Sequence, residues 1–266
     1  MHKEVFFMRI KRISFSSRVT VENPFCWVYS LEDLGFTGWE IVQDGVQSLN
    51  TGTLMDVKKI QETTNLELTL HLPFSDLNLG TLNPGIRQEV RRQMMSNIEL
   101  ASDFVELAVV HPGYLSPYGM LVPELAWQAN VDSLQLICDF AADYGILVAV
   151  ENMPDVPSVF GKCPLEILRM TEEVSCENIG FTFDVGHANT MGLADDFLDE
   201  CLGMVSHVHL HDNMGKKDEH LPVGKGSVDW KTVMDRLSSF KGSFVTEVNS
   251  LEEGVESLES LKGMLF

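Results

Sequence analysis

Histidines and acidic residues stand at or just beyond the ends of apolar runs throughout this sequence. Seven of the eight histidines lie in four short stretches, ELTLHLPF, FVELAVVHPG, IGFTFDVGHA and VSHVHLHDNMGKKDEHLPVGKG. Three acidic residues end comparable runs: Glu151 in ILVAVEN, Asp184 in FTFDVG and Glu247 in SFVTEV. Because imidazole and carboxylate groups are ligands that divalent metals take from proteins, the pattern predicts metal-dependent chemistry.

The stretch VSHVHLHD places three histidines two residues apart. Side chains alternate along a strand, so His207, His209 and His211 share one face. His207 lies deepest and could simply fill a polar interior layer. We predict that His209 is a metal ligand and that His211 orients a ligand or contacts the substrate.

Glu151 and Glu247 each end a strand-like run that is otherwise apolar. A carboxylate in such a place is costly unless it is paired or bound to a metal. An ion pair with Lys or Arg is disfavoured, because residues 146–160 contain no basic residue and only Lys241 stands near Glu247. We therefore interpret both glutamates as metal ligands.

Four further motifs are weaker evidence for a metal when each is taken alone, since rim histidines and turn carboxylates often bond only to the backbone. Two of them follow adjacent predicted strands, which would bring their histidines close in space. These motifs are His71, His111, Asp184-x-x-His187 and Asp218-x-His220.

Trp39 and Trp230 are large aromatic residues that a carbohydrate site could use. Core packing is the simplest interpretation of both, but a sugar ring could also stack on either indole. We include Trp39 among the predicted substrate contacts.

Strand-like runs alternate with amphipathic stretches along the chain. The strand-like runs lie near 11–16, 38–43, 67–73, 104–111, 146–151, 179–184, 205–211 and 243–248. Spacing predicts a helix over 86–103 with a buried face of Ile86, Val90, Met94, Ile98 and Ala101. A second helix is predicted over 124–144, with Leu125, Val131, Leu134, Ile137 and Phe140 on its buried face. Shorter helices are expected at 195–202, where Asp195 could be the cap, and at 251–265.

Eight strands, each followed by a helix, are typical of a (β/α)8 TIM barrel of about 250 residues. A doubly wound open sheet would explain the alternation, but it gives no reason for candidate ligands at the ends of six different strands. In a barrel, all eight strand ends surround one cavity. We therefore predict a single-domain α/β protein, residues 1–266, with its site at that cavity.

Net charge, cysteine content and the length of apolar runs restrict the partners and the cellular compartment that we expect. The 19 basic and 39 acidic residues give a formal net charge of −20, which repels phosphate backbones and makes nucleic acid an unexpected partner. Five widely spaced cysteines without a CxxC pair support neither a disulfide framework nor a thiolate metal site, and predict a reducing compartment. The start MHKEVFFMRIKR has only a short apolar patch and no run is long enough for a membrane span, so we expect a cytoplasmic protein.

The chain resembles the xylose isomerase-like barrels, the superfamily of sugar and sugar-phosphate isomerases and epimerases that also contains endonuclease IV. The resemblance rests on the ordered set HLPFSDLNL, VVHPG, VENMP, FDVGHA, HVHLHDN, DEHLPVGKGSVDW and TEVN, and covers essentially the whole sequence. In the isomerases and epimerases, Glu, Asp, His and Glu from four strand ends hold one divalent ion. The resemblance implies that Glu151, Asp184, His209 and Glu247 do so here.

Endonuclease IV holds two further ions, and the matching positions are also filled in this chain. The resemblance places His71 and His111 on one ion, with Glu151 as a bridge, and His187, Asp218 and His220 on the other. One to three ions of Mn, Zn, Co or Fe are therefore expected per chain. The arginine that commonly follows HDN in the epimerases is absent here.

The leading functional hypothesis is a divalent-metal-dependent isomerase or epimerase acting on a small sugar or sugar phosphate. Glu151 and Glu247 would exchange the substrate proton, and His187 or His211 would hold a hydroxyl. The alternative is a phosphodiesterase resembling endonuclease IV, in which several cations assist hydrolysis. A third possibility, a purely structural metal, is disfavoured because barrel-mouth sites usually keep open coordination positions.

Overall fold

Eight parallel strands close into one barrel in sequence order. The structure, a computed structural model, describes residues 12–265; the predicted domain of residues 1–266 and the first predicted strand therefore extend beyond the described residues. The (β/α)8 barrel is confirmed, and the open sheet is excluded because the first strand pairs with the last. The strands are β1 (Arg12–Ser17), β2 (Gly38–Val42), β3 (Glu67–His71), β4 (Leu107–Val110), β5 (Leu147–Glu151), β6 (Ile179–Asp184), β7 (Val205–Leu210) and β8 (Ser243–Val248).

Helices surround the barrel on its outside. In the described part of the chain they are α1 (Leu31–Leu34), α2 (Leu54–Thr63), α3 (Pro84–Ala101), α4 (Pro123–Ala142), α5 (Pro164–Glu173), α6 (Val185–Asn189), α7 (Ala194–Glu200), α8 (Trp230–Arg236) and α9 (Leu251–Leu265). Short 3-10 turns lie at Pro24–Cys26, Val28–Ser30, Gly45–Gln47, Gly119–Leu121 and Leu202–Met204. Over residues 12–265, no helix combines the length and the apolar character that crossing a membrane requires.

The predicted elements agree with the structure except at a few ends and faces. The run 104–111 begins as a strand only at Leu107, because residues 102–106 complete the turn from α3. Ile86 and Leu125 are 54% and 57% exposed, so the buried faces of α3 and α4 begin after their first three residues. Asp195 lies in the first turn of α7 and does not cap it; the capping position is Leu193.

Alternation along each strand separates an apolar outer face from a polar interior. In β6, Phe181 and Phe183 contact Phe197 of α7 with ring centroids 5.8 and 6.0 Å apart. Thr182 and Asp184 alternate with them and therefore point into the barrel. The same rule turns a set of buried polar residues toward the interior: Ser14, Ser16, Glu40, Glu151, Thr182, Asp184, His207, His209 and Glu247.

The outer apolar layer is expected to carry a large share of the stability. Phe183→Ala should lower the free energy of unfolding by about 3–5 kcal/mol, because it leaves a cavity between β6 and α7. Met55→Ala, at a position that is 71% exposed, is the control and should change it by less than about 0.5 kcal/mol. Equal midpoints for both variants in chemical denaturation would contradict this assignment of the core.

Candidate metal centre

Four ligand-type side chains from consecutive strands meet inside the mouth of the barrel. Glu151 ends β5, Asp184 ends β6, His209 lies in β7 and Glu247 in β8. One ligand atom from each lies within 4.8 Å of the others, and all four residues are buried. We call these four residues the central group; it is the set that the sequence predicted.

His209 turns one ring nitrogen toward the central group. Its Nδ1 atom lies 3.1 Å from Glu151 Oε1, 3.8 Å from Asp184 Oδ2 and 3.9 Å from Glu247 Oε2. Its Nε2 atom points the other way, deeper into the barrel, where it lies 3.1 Å from Glu40 Oε1. The central group therefore offers one imidazole nitrogen and three carboxylates to a cation.

A second group shares Glu151 with the central group. The Nε2 atoms of His71 and His111 lie 3.3 and 3.1 Å from Glu151 Oε2. That oxygen is buried, yet none of its contacts is aligned as a hydrogen bond. Glu151 thus presents one oxygen to each of two groups, as a bridging carboxylate does.

A third group lies beside them, around the loop that follows β7. It consists of His187, His211, Asp218 and His220, whose ligand atoms lie within 4.8 Å of one another. Asp218 Oδ2 is 3.0 Å from His220 Nε2 and 3.5 Å from His187 Nε2. Its other oxygen is buried without a hydrogen-bond partner.

The spacings around Glu151 Oε2 fit a divalent cation. Two atoms bound to one ion at about 2.0–2.1 Å lie roughly 2.8–3.4 Å apart when the bond angle is between about 90° and 110°. The contacts of Glu151 Oε2 at 3.1 and 3.3 Å fall in this range without hydrogen-bond alignment, whereas the distances from His209 Nδ1 to Asp184 and Glu247 are longer, 3.8 and 3.9 Å. Mixed nitrogen and oxygen donors are typical ligands of divalent transition metals.

Charges inside the site depend strongly on one another. Burial alone would raise the pKa of Glu151, but the charges of His209 and His111 hold it well below its ordinary value. Burial would lower the pKa of His71, yet its contact with Glu151 raises that pKa to about 9. For His187, burial is likewise outweighed by Asp184 and Asp218, and the pKa rises to about 10. Burial lowers the pKa of His111, so protonated His71 and His187 offset part of the carboxylate charge when no cation is bound, while His111 does not.

Hydrogen bonds between the Asn152 side chain and the backbone of Asp184 connect the ends of β5 and β6. The Asn152 side chain accepts from Asp184 N at 2.8 Å and donates to Asp184 O at 2.9 Å. His187 Nδ1 lies 2.8 Å from Asn152 O, and His187 N donates to Asp184 Oδ1 at 2.6 Å. Asn152 was not among the predicted site residues, and its only sequence signal is its position directly after Glu151.

His211 supports Asp184 from behind. Its Nε2 atom lies 3.0 Å from Asp184 Oδ1, and its ring stacks on His220 with centroids 3.6 Å apart. The close approach requires Gly186, where a Cβ atom would lie 2.1 Å from the His211 ring. Because His211 is fully buried, its position favours the predicted orienting role over a substrate contact.

Asp212 organises the loop that carries Asp218 and His220. It forms an antiparallel bridge with Leu221 through two backbone hydrogen bonds of 2.8 Å. Its side chain accepts from Trp230 Nε1 at 2.8 Å and from Gly224 N at 3.0 Å. Trp230 is thereby a structural residue of this loop.

Two residues of β2 depart from the sequence prediction. Trp39 faces the outer layer, is fully buried, and packs edge-on against Phe25 and Trp27, so its predicted contact with substrate is wrong. Its neighbour Glu40 points into the barrel and contacts His207 and His209. Glu40 was not among the predicted site residues, although an acidic residue inside the apolar run GWEIV is a signal.

Comparisons with known proteins agree with the fold. Residues 28–264 match the sequence pattern of a family described as "Xylose isomerase-like TIM barrel". An uncharacterised protein of Methanocaldococcus jannaschii is 34% identical over 237 residues, which cover 86% of this chain and 80% of the relative.

Solved structures of other proteins share this fold. A "D-tagatose 3-epimerase-like protein" superposes with a TM-score of 0.91 at 32% identity, covering 96% of this chain and 97% of that one. D-psicose 3-epimerase from Clostridium cellulolyticum H10, solved with D-tagatose, has a TM-score of 0.77 at 15% identity and covers 95% of this chain and 98% of that one. At 15% identity, the similarity to D-psicose 3-epimerase shows a shared fold and no more.

The three groups predict how many cations the protein binds. His71→Ala and Asp218→Ala should each remove about one bound equivalent and leave the central ion, because each change affects only one outer group. Asp196→Ala, an exposed position on α7, is the control. The measurement is metal content by elemental analysis after saturation and desalting. An unchanged count in both site variants would exclude outer cations.

Metal binding is also predicted to release protons. His71 and His187, with pKa values of about 9 and 10, carry protons at pH 7 in the metal-free protein, and a cation must displace them. Apparent affinity should therefore rise between pH 7 and 9, by up to about tenfold per pH unit for each proton displaced. Calorimetric titrations in buffers of different ionisation enthalpy measure this release. Affinity that is independent of pH, with identical heats in all buffers, would contradict it.

Proposed function

The chain belongs to the xylose isomerase-like TIM barrel family, and on that premise we propose that it is a divalent-metal-dependent isomerase or epimerase of a small sugar or sugar phosphate. One observation carries the proposal: the four side chains of the central group converge at the barrel mouth with three carboxylates around one imidazole. The 32% identity to a D-tagatose 3-epimerase-like protein, over 96% of this chain, supports the carbohydrate class.

When bound, a divalent cation would polarise neighbouring substrate oxygens and make the C–H bond beside a carbonyl more acidic. Glu247, whose side chain is 11% exposed, is the more open of the two candidate bases and can exchange its proton with solvent. Glu151 is enclosed, and the imidazoles of His71 and His111 lie within 3.3 Å to take up or return a proton. The pair would serve opposite faces of the substrate carbon.

The charge of the chain supports a small substrate. An excess of 39 acidic over 19 basic residues repels an extended polyanion. Lys216 and Lys217 form a pair of exposed basic residues in the loop that precedes Asp218. These two lysines suit a single phosphate at the end of a sugar better than a DNA backbone.

Phosphodiester hydrolysis is the second candidate, and a specific observation favours it. Glu151 is shared between two ligand groups, and a third group lies beside them. Several cations held close together can stabilise both the attacking and the leaving oxygen of a phosphoester. The number of cations that the protein needs for activity therefore distinguishes the two functions.

The proton-transfer roles predict the effect of isosteric substitutions. Glu151→Gln and Glu247→Gln should each lower turnover by about 10²–10⁴-fold, because the amide keeps the volume but cannot accept the proton. Glu252→Gln, at an exposed position on α9, is the matched control and should keep full activity. The readout is incorporation of solvent deuterium into a panel of ketoses and ketose phosphates, with metal content measured in parallel. Near-normal exchange in either site variant at full metal occupancy would remove that glutamate from its role.

The same metal-loaded preparation also tests the second candidate. DNA containing an abasic site should bind weakly and remain uncut with Mn or Zn present, because 39 acidic residues outnumber the 19 basic residues that could displace counterions. Efficient incision, together with no deuterium exchange across the sugar panel, would replace the isomerase with the phosphodiesterase.

A further inference from the structure

A buried carboxylate lies directly beneath the central group, on the side away from the barrel mouth. Glu40 is 0% exposed and lies at the middle of β2. Its Oε2 atom is 2.8 Å from His207 Nε2 and accepts a hydrogen bond from Thr69 Oγ1 at 3.2 Å. Its Oε1 atom is 3.1 Å from His209 Nε2. Among the described residues, no Lys or Arg forms an ion pair with Glu40.

Glu40 must be stabilised by these imidazoles. Moving an unpaired carboxylate from water into a barrel interior costs several kcal/mol, so the residue would otherwise be neutral. Each oxygen of Glu40 instead lies beside an imidazole nitrogen, and the carboxylate can accept from the N–H groups of these rings.

The two oxygens of Glu40 have separate partners. His207 and Thr69 both hold Oε2, which fixes the orientation of the carboxylate. Oε1 and His209 Nε2 are both buried, lie 3.1 Å apart and have no hydrogen-bond partner, and their contact is not aligned as a hydrogen bond. Each is therefore the polar atom left to complement the other. His209 thus places Nε2 beside Glu40, while its Nδ1 atom forms a hydrogen bond with Glu151 Oε1 and faces Asp184 and Glu247.

We propose that Glu40 is a positioning residue: it keeps the His209 proton on Nε2 and so leaves the Nδ1 lone pair for a cation in the central group. A carboxylate partner on one ring nitrogen selects the tautomer and makes the other nitrogen a better ligand. The inference rests on the metal site in the proposed function, but it does not depend on which substrate that site transforms.

The alternative for the same residues is that Glu40 binds a cation itself. Glu40, His207 and His209 have ligand atoms within 4.8 Å of one another. The 2.8 Å contact between His207 and Glu40 is a hydrogen bond, which favours the positioning role. The two roles differ in stoichiometry, because removal of a ligand deletes an ion whereas removal of a positioning residue weakens one.

The experiment measures Zn²⁺ binding to Glu40→Gln by competition with a chromophoric chelator. Loss of the charged acceptor should weaken the central site by about 10–100-fold while the saturating metal count stays that of the wild type. Glu67→Gln is the matched control: the same substitution on the next strand, where Glu67 pairs with Arg12 at the surface. It should leave both quantities unchanged. Unchanged affinity in Glu40→Gln, or the loss of one whole equivalent at saturation, would overturn the proposal.

A spectroscopic measurement on the wild-type protein keeps the test independent of how the variant folds. In long-range ¹H–¹⁵N spectra of the Zn²⁺-loaded protein, His209 should carry its proton on Nε2, with that proton shifted strongly downfield by the carboxylate. The shift should disappear in Glu40→Gln, whereas a purely structural role would leave it in place. A proton on Nδ1 of His209 in the wild type would overturn the proposal directly.

These readouts separate the positioning role from the proposed function. If no sugar exchanges deuterium but the affinity and the Nε2 proton behave as expected, the function fails and the positioning role stands. If sugars do exchange deuterium but Glu40→Gln binds Zn²⁺ like the wild type, the function stands and the positioning role fails.

Discussion

The arrangement of this barrel depends on ionised carboxylates that are buried among imidazoles. Glu40, Glu151 and Asp184 are fully buried, and each contacts one or more histidines. A buried carboxylate without a partner would cost several kcal/mol, whereas a protonated histidine or a cation offsets much of that cost. Because a histidine can carry a proton or give it up to become a metal ligand, the same side chains could offset the carboxylate charge without a metal and hold a divalent cation when one binds.

This constraint organises the interior into successive layers along the barrel axis. Glu40 and His207 form a deep polar layer, and His209 connects it to Glu151 in the layer above. The outermost layer comes from loops and not from strands: Asp218 and His220 reach the site only because the backbone of Asp212 bridges to Leu221. Rigid strands therefore hold the central group, and a tethered loop adds the third group.

One shared residue links the two candidate chemistries. Glu151 offers one oxygen to the central group and the other to His71 and His111. If the central group alone held a cation, the second oxygen of Glu151 would remain available for proton exchange. If His71 and His111 also held a cation, Glu151 would serve both groups and would no longer be available as a base. The fold accommodates either chemistry, since a TIM barrel hosts many reactions and the groups at its mouth decide among them. The acidic surface and the 32% identical epimerase-like structure favour the sugar reaction.

The sequence by itself determined the barrel and the strand ends at which candidate ligands lie. Apolar runs with period-two alternation specify strands, and a parallel closed sheet brings all strand ends to one mouth. The resemblance to the xylose isomerase-like barrels implied that Glu151, Asp184, His209 and Glu247 form one group, and the structure brings their ligand atoms together. Contacts across the barrel were decided only by the tertiary structure. Glu40 and His209 are 169 positions apart along the chain, and nothing local to GWEIV indicates that its acidic residue faces a histidine of β7. Because side chains alternate along β2, Trp39 faces outward when Glu40 faces inward. Gly186 leaves the space that lets His211 pack behind Asp184. The physical reason is that local spacing fixes which residues share a face, whereas barrel closure fixes which faces meet.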